Sequence, residues 1–547
     1  MICGRDGSLL IRQGRFLQRK KNSMNEFLKR NPIKLSELCF YIFFVSLLFA
    51  KGIGLYDGQT AFKVFLMIAL CGWALKFIFT EYAWSEMILC VFLVLLGIMI
   101  YLNTHEKGAL FCILLVCGMK GMEVKKVFRV GLVTWILSFG GLFLLTSFHL
   151  LDSQFKVHDK LGLGRIIRWS LGYAHPNVLH ISCLILVCFI VYLMQDKFRF
   201  RTFAVLMLLN LYVFMYSLSS TGFLATSILL VLAFYWSLRK KFCKVEQFLI
   251  QLCLPICILF SLIAPVMLEG RAFELVNKLM NTRLALSKWF LQNQPIKILG
   301  VDTTGLVTSL RTMDNSYVFA LITYGLVFFI LAMVSYVVLI FCKTREQDGV
   351  SLCLILACLI AGMTEPFLFN TSFKNVTLIF IGAMLFSSKL TEGKRKVPLL
   401  GKYDREFAIK LPDFEIILKS IREAVLSCKK VLLLISLLFG AAAGGICFAS
   451  AEMPERYIIP RTAFEETGDI EETYHLSTEN ELPKTGDMVL GYVDETTDMV
   501  PFSGNIAAVE RFRDTVCAAA VTVFFVYTLG SIGLWMNICR KERKNKG

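Results

Sequence analysis

Apolar residues in this chain gather in long uninterrupted blocks instead of alternating with polar ones. The blocks run roughly 18–25 residues, the length a helix needs to cross about 30 Å of hydrocarbon. Fourteen candidate spans follow: 36–56, 61–80, 85–103, 107–119, 128–150, 174–194, 203–219, 222–238, 248–268, 316–341, 349–366, 373–388, 431–450 and 515–538. Helices satisfy their own backbone polar groups in lipid, so the pattern predicts an all-α, polytopic transmembrane bundle. Its expected architecture is a twelve-span core, a C-terminal two-span hairpin and a long outer loop between spans nine and ten. The fourth span is short, and the second carries Lys63 and Lys76.

Composition agrees. Of 547 residues, 56% are apolar and 18% charged, with mean hydropathy +0.64, against about 45–50% and 25% in soluble domains. A soluble enzyme and a disulfide-built secreted domain are both excluded. The balance of 58 Lys and Arg against 41 Asp and Glu gives +17. In a membrane protein such an excess marks cytoplasmic loops rather than nucleic-acid binding. Most of the 18 cysteines lie inside apolar blocks, where Cys acts as a small hydrophobe. No Cys or His grouping has zinc spacing, so no metal and no cofactor are expected.

The positive-inside rule fixes the expected direction. Residues 1–35 carry nine Lys and Arg against two acids, a basic cytoplasmic arm within which Met24 is a candidate start. The arm is too long and polar to read as a cleavable signal peptide. With the N-terminus inside, 39 of the 58 cations fall in inner segments, and the C-terminus is inside as well. Residues 36–390 then form the polytopic core and 391–430 a basic cytoplasmic linker. Residues 431–547 form the hairpin, enclosing an outer segment, 451–513, with 14 acids and five bases.

Two outer loops break the charge rule. Loop 151–173 carries Lys156, Lys160, Arg165 and Arg168, and loop 269–315 carries Arg271, Lys278, Arg283, Lys288, Lys297 and Arg311. Guanidinium forks grip phosphate bidentately, so these loops suggest an anion at the bilayer surface. If 271–291 is one amphipathic helix, Ala272, Val276, Leu279, Arg283, Leu286 and Phe290 share a face. A guanidinium in that stripe needs an anion or must snorkel to the headgroups. Arg168 leads into Trp169-Ser170-Leu171-Gly172-Tyr173-Ala174-His175-Pro176-Asn177 at an outer helix N-terminus, which is an anion-binding position. There His175 and Asn177 act either as caps or on a ligand. Asp314-Asn315-Ser316-Tyr317 opens another span from outside, with Asp314 a general base or a cap. Glu365, at membrane depth before Pro366, is a functional candidate.

At these residues the chain resembles the Wzy-type polymerases of O-antigen and capsular polysaccharide, within the O-antigen ligase-like superfamily. The resemblance covers roughly 36–390 and rests on RWSLGYAHPN (168–177), YSLSSTG (216–222), the outer loop with Arg283 and Gly300, and DNSY (314–317). The chain departs from the family's pattern at His180, where Gly is frequent, and at Ser220, where an Arg is frequent, and it has Asp314 where the related ligases typically carry His. The resemblance implies a metal-independent glycosyltransferase of the cell membrane. It would join polyprenyl-diphosphate-linked oligosaccharide repeats at the outer leaflet, beside a flippase and a chain-length regulator and among membrane lipids, with no role for nucleic acid. It assigns Arg168, Arg283 and Arg311 to the diphosphate, with Arg165 and Arg271 in support, Asn177, Asn315 and Glu365 lining the site, and His175 or Asp314 orienting or deprotonating the acceptor hydroxyl. Two alternatives remain: a ligase that passes finished glycan to another acceptor, and a lipid-linked oligosaccharide flippase. Leu482-Pro483-Lys484-Thr485-Gly486 matches a sortase pattern, but it stands far from the span that follows.

Overall fold

The computed structural model describes residues 31–147, 150–151, 155–159, 165–239, 241–306, 312–387, 396–397, 399–409, 429–450 and 505–544, with four short strands between 459 and 500. The chain is an all-α polytopic membrane bundle, and among the described residues eleven helices are long and apolar enough to cross a bilayer. The first helices are α1 (Leu35–Gly52), α2 (Thr60–Phe79), α3 (Trp84–Thr104) and the short α4 (Gly108–Gly118). Next comes α5 (Val124–Trp135), which runs through a π turn at Ile136–Gly140 into α6 (Gly141–Ser147). After a loop follow α7 (Pro176–Leu193), α8 (Phe200–Ser217), α9 (Ser220–Arg239) and α10 (Lys244–Leu262).

Hydrogen bonds between connectors show that helix ends sort to two faces. On one face β1 (Asn31–Lys34) pairs antiparallel with β6 (Glu406–Ile409), and β2 (Tyr82–Ala83) pairs with β5 (Lys396–Val397). Lys120 meets Glu86 at 2.6 Å on that same face, and Lys76 Nζ donates to the Lys120 carbonyl at 2.7 Å. On the opposite face Lys107 meets Asp57 at 2.7 Å, and Asn103 donates to the Gly300 carbonyl at 2.9 Å. We call this second face the loop face. It also holds the hairpin of β3 (Phe155–Asp159) and β4 (Arg165–Trp169), a sheet element that the helical pattern did not indicate.

The expected amphipathic helix over 271–291 is two helices, α11 (Gly270–Leu279) and α12 (Arg283–Asn293). Asn281 and Thr282 both adopt left-handed backbone, and the Asn277 side-chain oxygen accepts from the Ala285 N–H at 2.9 Å, so the turn is locally capped. The shared face therefore does not form. Leu279 is 77% exposed while Arg283 is 6% exposed, so Arg283 turns inward instead of snorkelling.

The span expected at 316–341 is likewise broken, into the wholly buried α13 (Ser316–Thr323) and the long α14 (Gly325–Arg345). Segment 297–301 lies against the break: Val301 donates to the Ile322 carbonyl at 3.0 Å and Leu326 to the Lys297 carbonyl at 3.0 Å. These bonds serve backbone groups that a broken helix would otherwise strand in an apolar setting. Gly300 and Gly325, both at φ +84°, permit the approach, because a Cβ on Gly300 would lie 2.0 Å from the Thr323 carbonyl oxygen.

Two further spans are shorter than their apolar blocks. Residues 349–366 form helix only in α15 (Gly349–Ala361), and 373–388 only in α16 (Leu378–Leu385). At about 1.5 Å per residue neither helix alone reaches across a bilayer. The polypeptide between them folds back at the loop face through the turn Pro366–Leu368. The C-terminal pair is α17 (Lys429–Ser450) and α18 (Asn505–Lys544). Gly440 and Gly444 lie one turn apart and let the two backbones meet, since a Cβ on Gly440 would sit 2.4 Å from Val523 Cγ2.

Candidate functional site

On the loop face, the starts of α7, α9 and α12 converge on one carboxylate, and the start of α13 holds the backbone of the fold-back that carries it. The chain leaves β4 through Leu171 and Gly172, both left-handed, and enters α7 at Pro176. His175 is the N-cap: its Nδ1 accepts from the Asn177 backbone N–H at 3.1 Å. In the neutral ring the proton then sits on Nε2.

Buried Arg168 links β4 to two helices. Its Nε donates to the carbonyl of Ser217, the last residue of α8, at 2.9 Å, and its Nη2 donates to Asn177 Oδ1 at 2.7 Å. A cation is favoured at that position, because the C-terminal carbonyls of a helix carry partial negative charge. Asn177 relays the contact onward, donating through Nδ2 to Glu365 Oε1 at 3.0 Å. The same oxygen accepts from Thr221 Oγ1 at 2.8 Å and from Arg283 Nη2 at 2.9 Å. Arg283 Nε lies 3.3 Å from Asp314 Oδ2 without a well-formed hydrogen bond.

Backbone geometry fixes Glu365. Asn315 caps α13, its Oδ1 accepting from the Tyr317 and Val318 N–H groups, while its Nδ2 donates to the Met363 carbonyl at 3.0 Å. Ser316 N donates to the Gly362 carbonyl at 2.8 Å, and Ser316 Oγ to the Glu365 carbonyl at 2.5 Å. The start of α13 thus holds the turn that presents Glu365. The Glu365 side chain is 9% exposed and that of Asp314 28%, so Asp314 is the more accessible of the two carboxylates.

Two guanidinium groups and two carboxylates cancel in formal charge. Around them stand the N-termini of α7, α9, α12 and α13, contributing Asn177, Thr221, Arg283 and Asn315. Local caps meet N–H groups at the starts of α7 and α13, so these starts serve the centre chiefly through their side chains.

The sequence-derived candidates separate clearly. Arg168, Asn177, Arg283, Asp314, Asn315 and Glu365 meet in this network, with His175 capping the helix that bears Asn177. Arg271 does not join them and stands exposed on α11. Arg165 lies on β4 opposite Asp159, its side chain outside the described residues, as is Arg311 altogether. The anion that Arg283 requires is supplied by the chain itself, through Glu365 and Asp314.

Sequence reasoning missed two contributors. Thr221 lies in the quoted YSLSSTG stretch, where nothing in the pattern marks its hydroxyl as a carboxylate donor. Lys374 is buried, its Nζ donating to Ser182 Oγ at 2.8 Å and the Val178 carbonyl at 3.3 Å, beneath the Tyr173 ring at 5.0 Å. A lone Lys in an apolar block was a legible signal, because intramembrane charges are rarely idle. His180 is wholly buried between Ser217 Oγ and Asn210 Oδ1, each at 2.8 Å, and braces the end of α8. Among the described residues no group of His, Cys, Asp and Glu could hold a metal ion. Comparison with protein-family models, curated proteins and solved structures finds no match for this chain.

Proposed function

We propose that this chain is a membrane glycosyltransferase that polymerises polyprenyl-diphosphate-linked oligosaccharide repeats at the outer leaflet, with the loop face outside and both termini in the cytoplasm. The observation that carries the reading is the convergence of buried Arg168 and Arg283 with the starts of α7, α9 and α12 around Glu365. Preorganised cations stabilise negative charge as it develops on a leaving group, and the departing diphosphate presents such charge. The charge bias of the connectors supports the orientation.

Arg283 faces Asp314 at 3.3 Å. An arriving diphosphate competes for that guanidinium and releases Asp314. The freed carboxylate takes the proton of the acceptor hydroxyl as its oxygen attacks the anomeric carbon. The anomeric C–O bond to phosphate breaks, and its electron pair leaves on the diphosphate. Glu365 stays in place as the anchor of Arg283, Asn177 and Thr221. Donor binding and base release are thereby linked through one guanidinium.

A deletion strain analysed for its glycolipids tests the reading. The expected outcome is accumulation of single lipid-linked repeats with loss of long polymer, reproduced by Arg283→Ala. Long polymer stranded on its lipid would assign a ligase, and repeats confined to the inner leaflet a flippase. Normal polymer length in Arg283→Ala would remove the central assignment.

A further inference from the structure

The C-terminal hairpin lies outside the network just described, yet it touches the core next to Arg168. Buried Arg513, near the start of α18, places its guanidinium 5.2 Å from the Trp169 ring centroid and 5.2 Å from that of Tyr216. Asp514 holds the same guanidinium from its own helix at 3.0 Å. One turn along α18, Cys517 Sγ accepts from Tyr212 Oη on α8 at 2.7 Å. Trp169 directly follows Arg168, and Tyr216 directly precedes Ser217, whose carbonyl receives Arg168 Nε at 2.9 Å. Arg513 therefore bridges the two segments that this bond joins.

We infer that Arg513 is a positioning residue that staples the end of β4 to the end of α8 and so holds Arg168 in the site. The physical case rests on where the residues lie in sequence and space. A five-residue strand carries Arg168, and a short antiparallel ribbon has little stability of its own. The Arg168 guanidinium is held by an acceptor on α8 and another on α7. If β4 slides from α8, Nε loses the Ser217 carbonyl while Nη2 pulls Asn177 out of line with Glu365. A cation wedged between two aromatic faces resists that sliding and is desolvated, the condition under which such contacts are strongest. The hairpin is thus a support for the site rather than an appendage, whatever reaction the site performs.

The test uses the purified full chain in detergent and the arginine-directed reagent phenylglyoxal, with modified residues mapped by peptide mass spectrometry. In Arg513→Ala the modification rate of Arg168 should rise about tenfold, the change expected from losing cation–π contacts with both rings, while that of Arg283 stays at the parent value. Arg513→Lys retains a cation between the rings and should keep Arg168 protected. An unchanged Arg168 rate in Arg513→Ala overturns the inference. A parallel rise at Arg168 and Arg283 also overturns it, because the hairpin would then stabilise the bundle at large. No part of this readout depends on glycosyl transfer, so it stands or falls separately from the proposed function.

Discussion

Replacing Arg283 by Met removes the one side chain that, among the described residues, pairs with both site carboxylates. Arg283 meets Glu365 at 2.9 Å and Asp314 at 3.3 Å, and is itself 6% exposed. A charge pair near 4 Å contributes about 4 kcal/mol of attraction at an effective dielectric near 20, against a desolvation cost of similar size. The folded state therefore gains little net energy from the intact pair. It loses much more when one partner goes, because a buried charge is left uncompensated. Arg283→Met should destabilise the chain by about 3–5 kcal/mol. Neutralising the orphaned carboxylate in the double variant Arg283→Met/Glu365→Gln should recover most of that loss, since Gln keeps a hydrogen-bonding oxygen for Asn177 and Thr221 without a charge. Equilibrium denaturation of the purified chain in detergent reads both values. Neither variant should make polymer in the deletion strain, because both lack the guanidinium, so stability and activity part company in the double variant. If Arg283→Met stays within about 0.5 kcal/mol of the parent, or the double variant is no more stable than the single, the network is not held together as argued.

Three further outcomes follow from particular contacts. Thr221→Val removes a donor to a buried carboxylate and should cost about 1.5–3 kcal/mol, while Thr221→Ser should stay close to the parent in the same denaturation measurement. Gly300→Ala forces a left-handed alanine against the Thr323 carbonyl, so thermal unfolding should show a loss of at least about 1–2 kcal/mol from the backbone alone. Burial, with Asp57 adding like charge, holds the Glu106 carboxyl above its usual range. The folded state then binds that proton more tightly than the unfolded chain, so stability falls as pH climbs from the ordinary glutamate value through the raised one. Glu106→Gln should flatten this part of the stability profile, and an unaltered profile would reject the assignment.

Most of the bundle was legible in the chain because lipid imposes a single rule on every apolar block. Each such block must hide its backbone, and helix is the local way to do so. The fourteen blocks accordingly all contain helix, and the two cation-bearing loops contain Arg168 and Arg283, which the structure buries. The helix breaks were hidden, because Tyr324-Gly325 and Met280-Asn281-Thr282 interrupt no hydropathy pattern. They form because other groups satisfy the freed backbone: segment 297–301, some twenty-five residues away, in one case, and the nearby Asn277 side chain in the other.

Sequence by itself determined the class of the protein, the number and rough limits of its apolar blocks, the charge asymmetry of its connectors and most of the site's residue types. Only the tertiary structure decided which of those residues meet. Arg168, Asn177, Thr221, Arg283, Asp314 and Glu365 span nearly two hundred positions of chain, and no local periodicity encodes their approach. Helix ends brought together on one face decide it, and the same packing left Arg271 exposed on α11 while drawing Arg513 in from the C-terminal hairpin. Burial supplies the physical reason. A guanidinium taken out of water must find oxygen partners wherever the fold places them, and here the chain provides its own carboxylates.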